Sequence, residues 1–294
     1  MASGSTRGKR SLGAKYQALM TKYGVSVPDI VKLIGTSRPG VFNLLAGENR
    51  PRKPTFVALL SVFPDLTDEE RDELWAAWNA ADDDDGVVIQ HAAKLPKTYV
   101  RFRRDERVCV LERTLDADLV PGLLQTPEYA EGVAQSSWRL LSLTDAEWSE
   151  KAPAERKERS DLLTRPNPLN VRALIHVKAL ENQVSCRGVS AADLMARQYD
   201  HLLEVGALPN VEIRALSKSV GAYGFHNGAL TLLNFPDSDY EPLSAYIDSA
   251  AGLMAVKDLE QVQALSGVWD DASELALSAE ETAEFIRQRK ARLV

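Results

Sequence analysis

The chain has 294 residues, 45% of them hydrophobic, and a formal net charge of −7. That is enough chain for two domains with cores of their own, in a composition ordinary for globular protein. No run approaches the ~20 apolar residues of a membrane span, and the opening MASGSTRGKR lacks the apolar stretch of a secretory signal, so the cytoplasm is the expected compartment. Two cysteines, Cys109 and Cys186, make neither a disulfide framework nor a zinc site; each is expected to be a small buried residue.

The charge is unevenly placed. Residues 1–60 hold ten basic and two acidic side chains, a net of +8, which leaves −15 for the rest. A cationic front on an acidic body is what attraction to phosphates predicts. The bland counterpart is a small helical domain with a solvated basic surface.

Met1 to Lys9 reads as a disordered basic arm, either a solvated tail or an arm lying along a phosphate backbone or in a minor groove. Ser11 to Tyr23 reads as a helix with Leu12, Tyr16, Leu19 and Met20 on one face. Val25 to Pro54 reads as a helix-turn-helix. Ser26 caps the first helix, Pro28 sits in its first turn, and Ile30, Leu33 and Ile34 recur at helical spacing. Gly35 supplies a left-handed stop, Thr36 or Ser37 caps a second helix over Arg38 to Ala46, and Val41, Leu44 and Leu45 face inward before Gly47 ends it. Two short helices joined by a tight Gly turn are the shape that sets a recognition helix in a major groove. Glu48 to Lys53 follows as a loop suited to phosphate contacts. A fourth helix begins at Thr55, with Val57, Leu59, Leu60 and Val62 available for packing. A fifth starts at a capping box of Thr67 and Glu70 and runs through Leu74, Trp75 and Trp78 to Ala81.

Val25 to Pro54 resembles the XRE-type, lambda-repressor-like helix-turn-helix family. The likeness rests on the apolar first helix, Gly35, Ser37, Val41, Leu44, Gly47 and Pro54, and five helices are that family's usual complement. Pro39 and Gly40 stand where polar base-reading residues are usual, and Leu45 where an acid is common. The resemblance implies binding to double-stranded DNA through Ser37, Arg38, Asn43, Arg50, Arg52 and Lys53.

Asp82 to Asp85 is a run of four acids before Gly86, a natural boundary rather than a metal site. The expected division is therefore a DNA-binding domain over 1–81, a linker over 82–98 and a larger domain over 99–294. Val108 to Leu115 can be strand or helix. Pro121 and Gly122 form a turn, and Thr126, Pro127 and Glu128 start a helix with cap, proline and acid in the favoured places. Val171 to Val177 is a strand. Ser190 caps a helix, AADLMARQYDHLLEVG, that buries Ala191, Leu194, Met195, Leu202 and Val205 and ends at Gly206. Val211, Ile213 and Ala215 alternate as a half-buried strand, Ala229 to Phe235 and Ser244 to Ile247 add further strands, and Ser278 with Glu281 boxes a terminal helix through Phe285 and Ile286. The fold class expected is α+β or mixed: a five-helix head, then a mixed α/β body.

VPGLLQTPEYA, Val120 to Ala130, closely resembles the signature of an uncharacterised domain that follows XRE-type heads in actinomycete regulators. The similarity runs on through the helix around Leu194 to Val205, LPNVEIRAL and GFHNGALTLLNFP. Ala154 to Arg165 and Lys178 fit that pattern only loosely. The resemblance implies an antitoxin-like transcription regulator, often encoded beside a small partner protein.

No catalytic constellation is visible. His91, His176, His201 and His226 lack metal-ligand spacing, and there is no nucleophile elbow, P-loop or dinucleotide fingerprint. Neither an enzyme, nor a metal, nor a cofactor is expected. Gly221 to Gly228 reads as a hairpin turn or as a loop that contacts a ligand or partner through Tyr223, Phe225 and His226. Trp138, Tyr223, Phe225 and Trp269 would line a pocket or fill the core. The leading expectation is a homodimeric DNA-binding regulator whose body dimerises, binds a partner or receives a signal. The alternative is a partner-sequestering antitoxin whose DNA binding is only autoregulatory.

Overall fold

The computed structural model describes residues 6–81, 96–137, 156–225, 228–236, 243–249, 252–256 and 258–293. The chain divides into two compact units. One is Met1–Val108 with Phe235–Pro242; the other is Cys109–Asn234 with Leu243–Val294. The run Asp82 to Asp85, Gly86 and Trp138 lie outside the described residues, as do His91, Asn227 and His226.

The first unit holds α1 (Arg7–Tyr23), α2 (Val27–Ile34), α3 (Arg38–Leu45), α4 (Lys53–Leu60), α5 (Asp68–Ala80) and α6 (Lys97–Val108). The first helix begins within the segment read as an arm. Thr6 caps it by accepting from the Lys9 amide, and Lys9 and Arg10 are buried. Arg10 stays there because its Nη2 bonds both oxygens of Asp105, at 2.7 and 2.6 Å, which satisfies a charge that burial would otherwise expel.

The core joins Leu12, Tyr16, Ile30, Val41, Leu44 and Leu74. α1 and α3 approach closely at Gly13, where a Cβ would stand 2.6 Å from the carbonyl oxygens of Leu44 and Leu45. Phe56 fills the end of the core, its ring 4.7 Å from Trp75 and 5.1 Å from Trp78. Because Phe56 takes the inward place, Val57, expected to pack, is turned out and exposed.

The second unit is built on a six-stranded sheet in the order β3-β2-β1-β4-β5-β6. The strands are β1 (Leu111–Asp116), β2 (Asn170–His176), β3 (Val211–Leu216), β4 (Ala229–Asn234), β5 (Leu243–Ser249) and β6 (Gly252–Val256). β1, β2 and β3 run parallel; β4 is antiparallel to β1, β5 to β4 and β6 to β5. Helices α7 (Pro127–Ser137), α8 (Val177–Glu181), α9 (Ala191–Val205), α10 (Leu259–Glu274) and α11 (Ala279–Ala291) pack around it. Leu115, Leu174, Leu230 and Leu232 meet Val262 and Trp269 of α10. The edge at β3 is closed by groups beside and within α11: the Ala215 amide donates to Thr282 Oγ1 at 2.8 Å, and the Leu277 amide to Ala215 O at 2.9 Å.

The mixed α/β class is as the sequence implied. Strand β6 and helices α6, α8 and α10 are additions to it. The hairpin reading of Gly221 to Gly228 is corrected. β3 and β4 are not neighbours, so the chain between them crosses the sheet from the carboxyl end of β3 past those of β2 and β1.

Candidate nucleic-acid interface and the carboxyl edge of the sheet

In the first unit the α2–turn–α3 pair has the geometry of a helix-turn-helix. Ser26 and Asp29 form a reciprocal capping box on α2, and the serine's bonds hold the Asp29 carboxyl below its usual range. Gly35 ends α2 at φ 65°, a left-handed turn that glycine adopts without strain. Ser37 Oγ then accepts from the Gly40 amide at 3.2 Å, so the serine is engaged as the cap of α3.

Val41 and Leu44 anchor α3 inward. Pro39, Phe42, Asn43 and Ala46 recur at helical spacing on the opposite side and are all exposed, with Arg38 beside them. Phe42 is the member that sequence reading passed over. Its signal was phase: it lies one position off the Val41–Leu44 stripe.

The basic residues divide into two sets. Arg10 is paired with Asp105, Lys15 with Glu73, and Lys22 with Glu70. Lys22 and then Tyr23 pull the Glu70 carboxyl down to about 2. Arg7 lies over the Phe235 ring. Arg50 stacks on Trp78 with its guanidinium carbon 3.7 Å from the ring centroid, and its Nε donates to the Trp78 carbonyl at 2.7 Å. Lys32, Arg38, Arg52 and Lys53 are exposed on α2, α3 and the start of α4. The structure thus gathers Arg38, Asn43, Arg52 and Lys53 among exposed groups, and gives Ser37 and Arg50 internal duties as well.

In the second unit the signature Val120 to Ala130 is a turn whose buried polar groups are closed on one another. Tyr129 Oη accepts from the Val120 amide at 3.3 Å, and Gln125 Nε2 donates to Val120 O at 2.8 Å. Gln198 of α9 bridges the turn, donating to Leu124 O and accepting from the Thr126 amide, both at 2.8 Å. Arg156 Nε donates to Gln125 Oε1 at 3.0 Å. Gly122 leaves room for Arg159, whose Nη1 would stand 2.5 Å from a Cβ there. The motif is accounted for by this packing.

The carboxyl edge of the parallel strands is polar. Asp116, the last residue of β1, is buried and its Oδ2 has no hydrogen-bond partner among the described residues. Burial pushes its carboxyl up to about 8, and the charge of Asp248 adds to the push while the Thr114 hydroxyl and Arg159 oppose it. Asp116 and Asp248 share one row of the sheet through Ala229, so they face the same side, although Asp248 is exposed. On the next strand His176 caps α8, stacks against Tyr223 at 6.1 Å, and is held below its usual pKa by burial and then by the charges of Lys178 and Lys218. Lys178 pairs with Asp118, and Lys218 with Glu181.

Of the residues assigned to partner or ligand contact, Tyr223 is buried and Phe225 is partly buried against the core cluster of the sheet. Trp269 is core, with its Nε1 donating to Thr114 O at 2.8 Å. No cluster of three potential metal ligands occurs among the described residues, and none of their helices is long and apolar enough to cross a membrane.

These features define a protein with a helical head that fits a helix-turn-helix and a body of mixed α/β architecture. Residues 99–288 match the family described as Domain of unknown function (DUF5753), nearly two thirds of the chain, and the protein belongs to that family. The match begins inside α6 and ends inside α11, so it takes in the whole sheet. Neither a curated protein nor a solved structure matched the chain.

Proposed function

We propose that the protein is an XRE-type DNA-binding transcriptional regulator of the antitoxin-like kind, acting as a cytoplasmic homodimer. The observation that carries this reading is α3: two inward anchors, an exposed opposite stripe with Arg38, and exposed Lys32, Arg52 and Lys53 on the segments before and after it in the chain. Such a helix enters a major groove while flanking cations and the start of α4 take phosphates. Two heads on a symmetric dimer would read two half-sites. The body carries out no catalysis and needs no metal or cofactor in this reading. It receives a signal or a small protein encoded nearby along the carboxyl edge of the sheet, where open α/β sheets place their ligands and where the β3–β4 crossing passes.

The test is a gel shift of the full-length protein on its own promoter and on an unrelated duplex, over a salt series. Preference for the promoter that survives competitor supports the reading. Equal, weak affinity for every duplex would sink it. Co-purification with the neighbouring gene's product, joined to DNA binding of only that generic kind, would favour the sequestering antitoxin instead.

A further inference from the structure

The exposed stripe of α3 is unusual for a base-reading surface because it is mostly apolar. Pro39 and Gly40 carry no side-chain donor or acceptor. Ser37 caps the helix from outside its first turn, its hydroxyl still able to donate to a phosphate, so base edges along α3 itself are met by later residues. Hydrogen-bonding readout is therefore left to Arg38 and Asn43. Between them stands Phe42, 57% exposed, on a helix whose core anchors are already supplied by Val41 and Leu44. The phenyl ring is therefore a large apolar group on the same exposed stripe as Arg38 and Asn43, free to desolvate against a surface that meets α3. Arg38, Arg52 and Lys53 are exposed nearby in the sequence of helices, so an anionic surface fits the patch better than an apolar protein face. Within a major groove the one apolar group on a base edge is the C5-methyl of thymine.

We propose that Phe42 reads thymine C5-methyl groups and that Asn43, one residue on, pairs with an adenine edge, so that the head selects duplexes with A·T pairs at these positions. This rests on the DNA-binding reading above. Asn presents an amide matched to adenine N6 and N7, and Phe42 contributes shape and desolvation with no hydrogen bond. Arg38 remains available for guanine or phosphate.

The experiment enriches duplexes from a random-sequence pool with the full-length protein, then compares the enriched duplex with a copy in which every thymine is replaced by uracil. That exchange removes only the methyl groups. Wild type should bind the uracil copy about fourfold more weakly for each methyl contacted. Phe42→Ala should bind both copies alike, and Phe42→Leu should keep part of the difference. Since the side chain is exposed, all three proteins should melt together, which excludes misfolding as the cause. Enrichment of a sequence with no loss on the uracil copy would overturn the assignment of Phe42 and leave the DNA reading standing. No enrichment and no promoter preference would remove both. A change of oligomeric state in Phe42→Ala, with duplex preference intact, would also overturn it by making Phe42 a subunit contact.

Discussion

On α3 the side chains that do not pack, Arg38, Pro39, Phe42, Asn43 and Ala46, are exposed. On β1 the polar side chains Glu112, Thr114 and Asp116 sit on one side of a central strand and are all buried. The first unit also buries charged groups, Lys9, Arg10, Asp105 and Glu106 among them, but its α3 keeps the polar groups it carries on an outer face. The second unit takes polar groups inside, where Gln198, Gln125 and Arg156 close the Val120 to Ala130 turn. The same kinds of side chain therefore report different things: on α3 they mark a face that is open to a partner, and in the Val120 to Ala130 turn they mark places where the fold depends on hydrogen bonding.

That contrast breaks most sharply at Asp116. In the unfolded chain its carboxyl ionises near 3.8, while in the fold burial holds it neutral up to about 8. Between those values folding must take up a proton, so this residue makes stability fall as pH rises from about 4 to about 8. Asp116→Asn should remove that slope and stabilise the protein at pH 8, by about 5 kcal/mol as an upper bound. Urea midpoints across this range check it. A difference between wild-type and variant midpoints that does not change with pH would mean that Asp116 ionises in the fold. Next in size is Gln198→Leu, which leaves Leu124 O and the Thr126 amide without their bonds inside the body and should cost about 2–4 kcal/mol. Duplex affinity of the folded fraction should not change.

The head answers in the other direction. Arg38→Ala and Asn43→Ala should each weaken binding to the preferred duplex by about 1–3 kcal/mol. Their thermal midpoints should stay close to wild type, because both side chains are exposed. A large loss of stability in either would show that α3 is held by those residues and is not presenting them.

The head was legible because its signals are local. Ser26, Gly35, Ser37, Thr67 and Glu70 cap or stop helices through partners within a few residues, and the apolar period finds Ile30, Val41, Leu44 and Leu74, although it also counts Leu33 and Val57, which are exposed. The body was legible in part. Thr126, Ser190 and Ser278 sit at helix starts as read, and the strands at Val171, Val211 and Ala229 fall close to their places. What stayed hidden is non-local. Strand order made a crossing of the loop before Gly228, and no spacing within Gly221 to Gly228 encodes that. Gln198 reads as an ordinary helical residue until the turn 72 residues away is brought to it. Lys9 looked like a tail residue and Arg10 fell outside the expected first helix, because Asp105, which pairs Arg10, is 95 residues on.

The smallest effects come from the cations, and they divide the same basic stretch in two. The sequence counts Arg50, Arg52 and Lys53 alike as candidates for phosphate contact. The structure stacks Arg50 on Trp78 and bonds it to the Trp78 carbonyl, whereas Arg52 and Lys53 are exposed where α4 begins, Lys53 with only a looser approach to Trp75, 5.7 Å from the ring centroid. If Arg52 and Lys53 meet phosphates, replacing either by Ala should lower the slope of log affinity against log salt by about 0.9 per head, on all duplexes alike. Arg50→Ala should leave more of that slope in place and show its effect first in the melting of the head, because it removes a ring contact and a bond to the end of α5. Salt titrations of the three variants, with thermal melts of each, separate the two roles. A slope that drops by the same amount in all three would return Arg50 to the phosphate set. A slope unmoved in Arg52→Ala and Lys53→Ala would take the start of α4 out of the interface and leave α3 to hold the duplex through Arg38 and its neighbours alone.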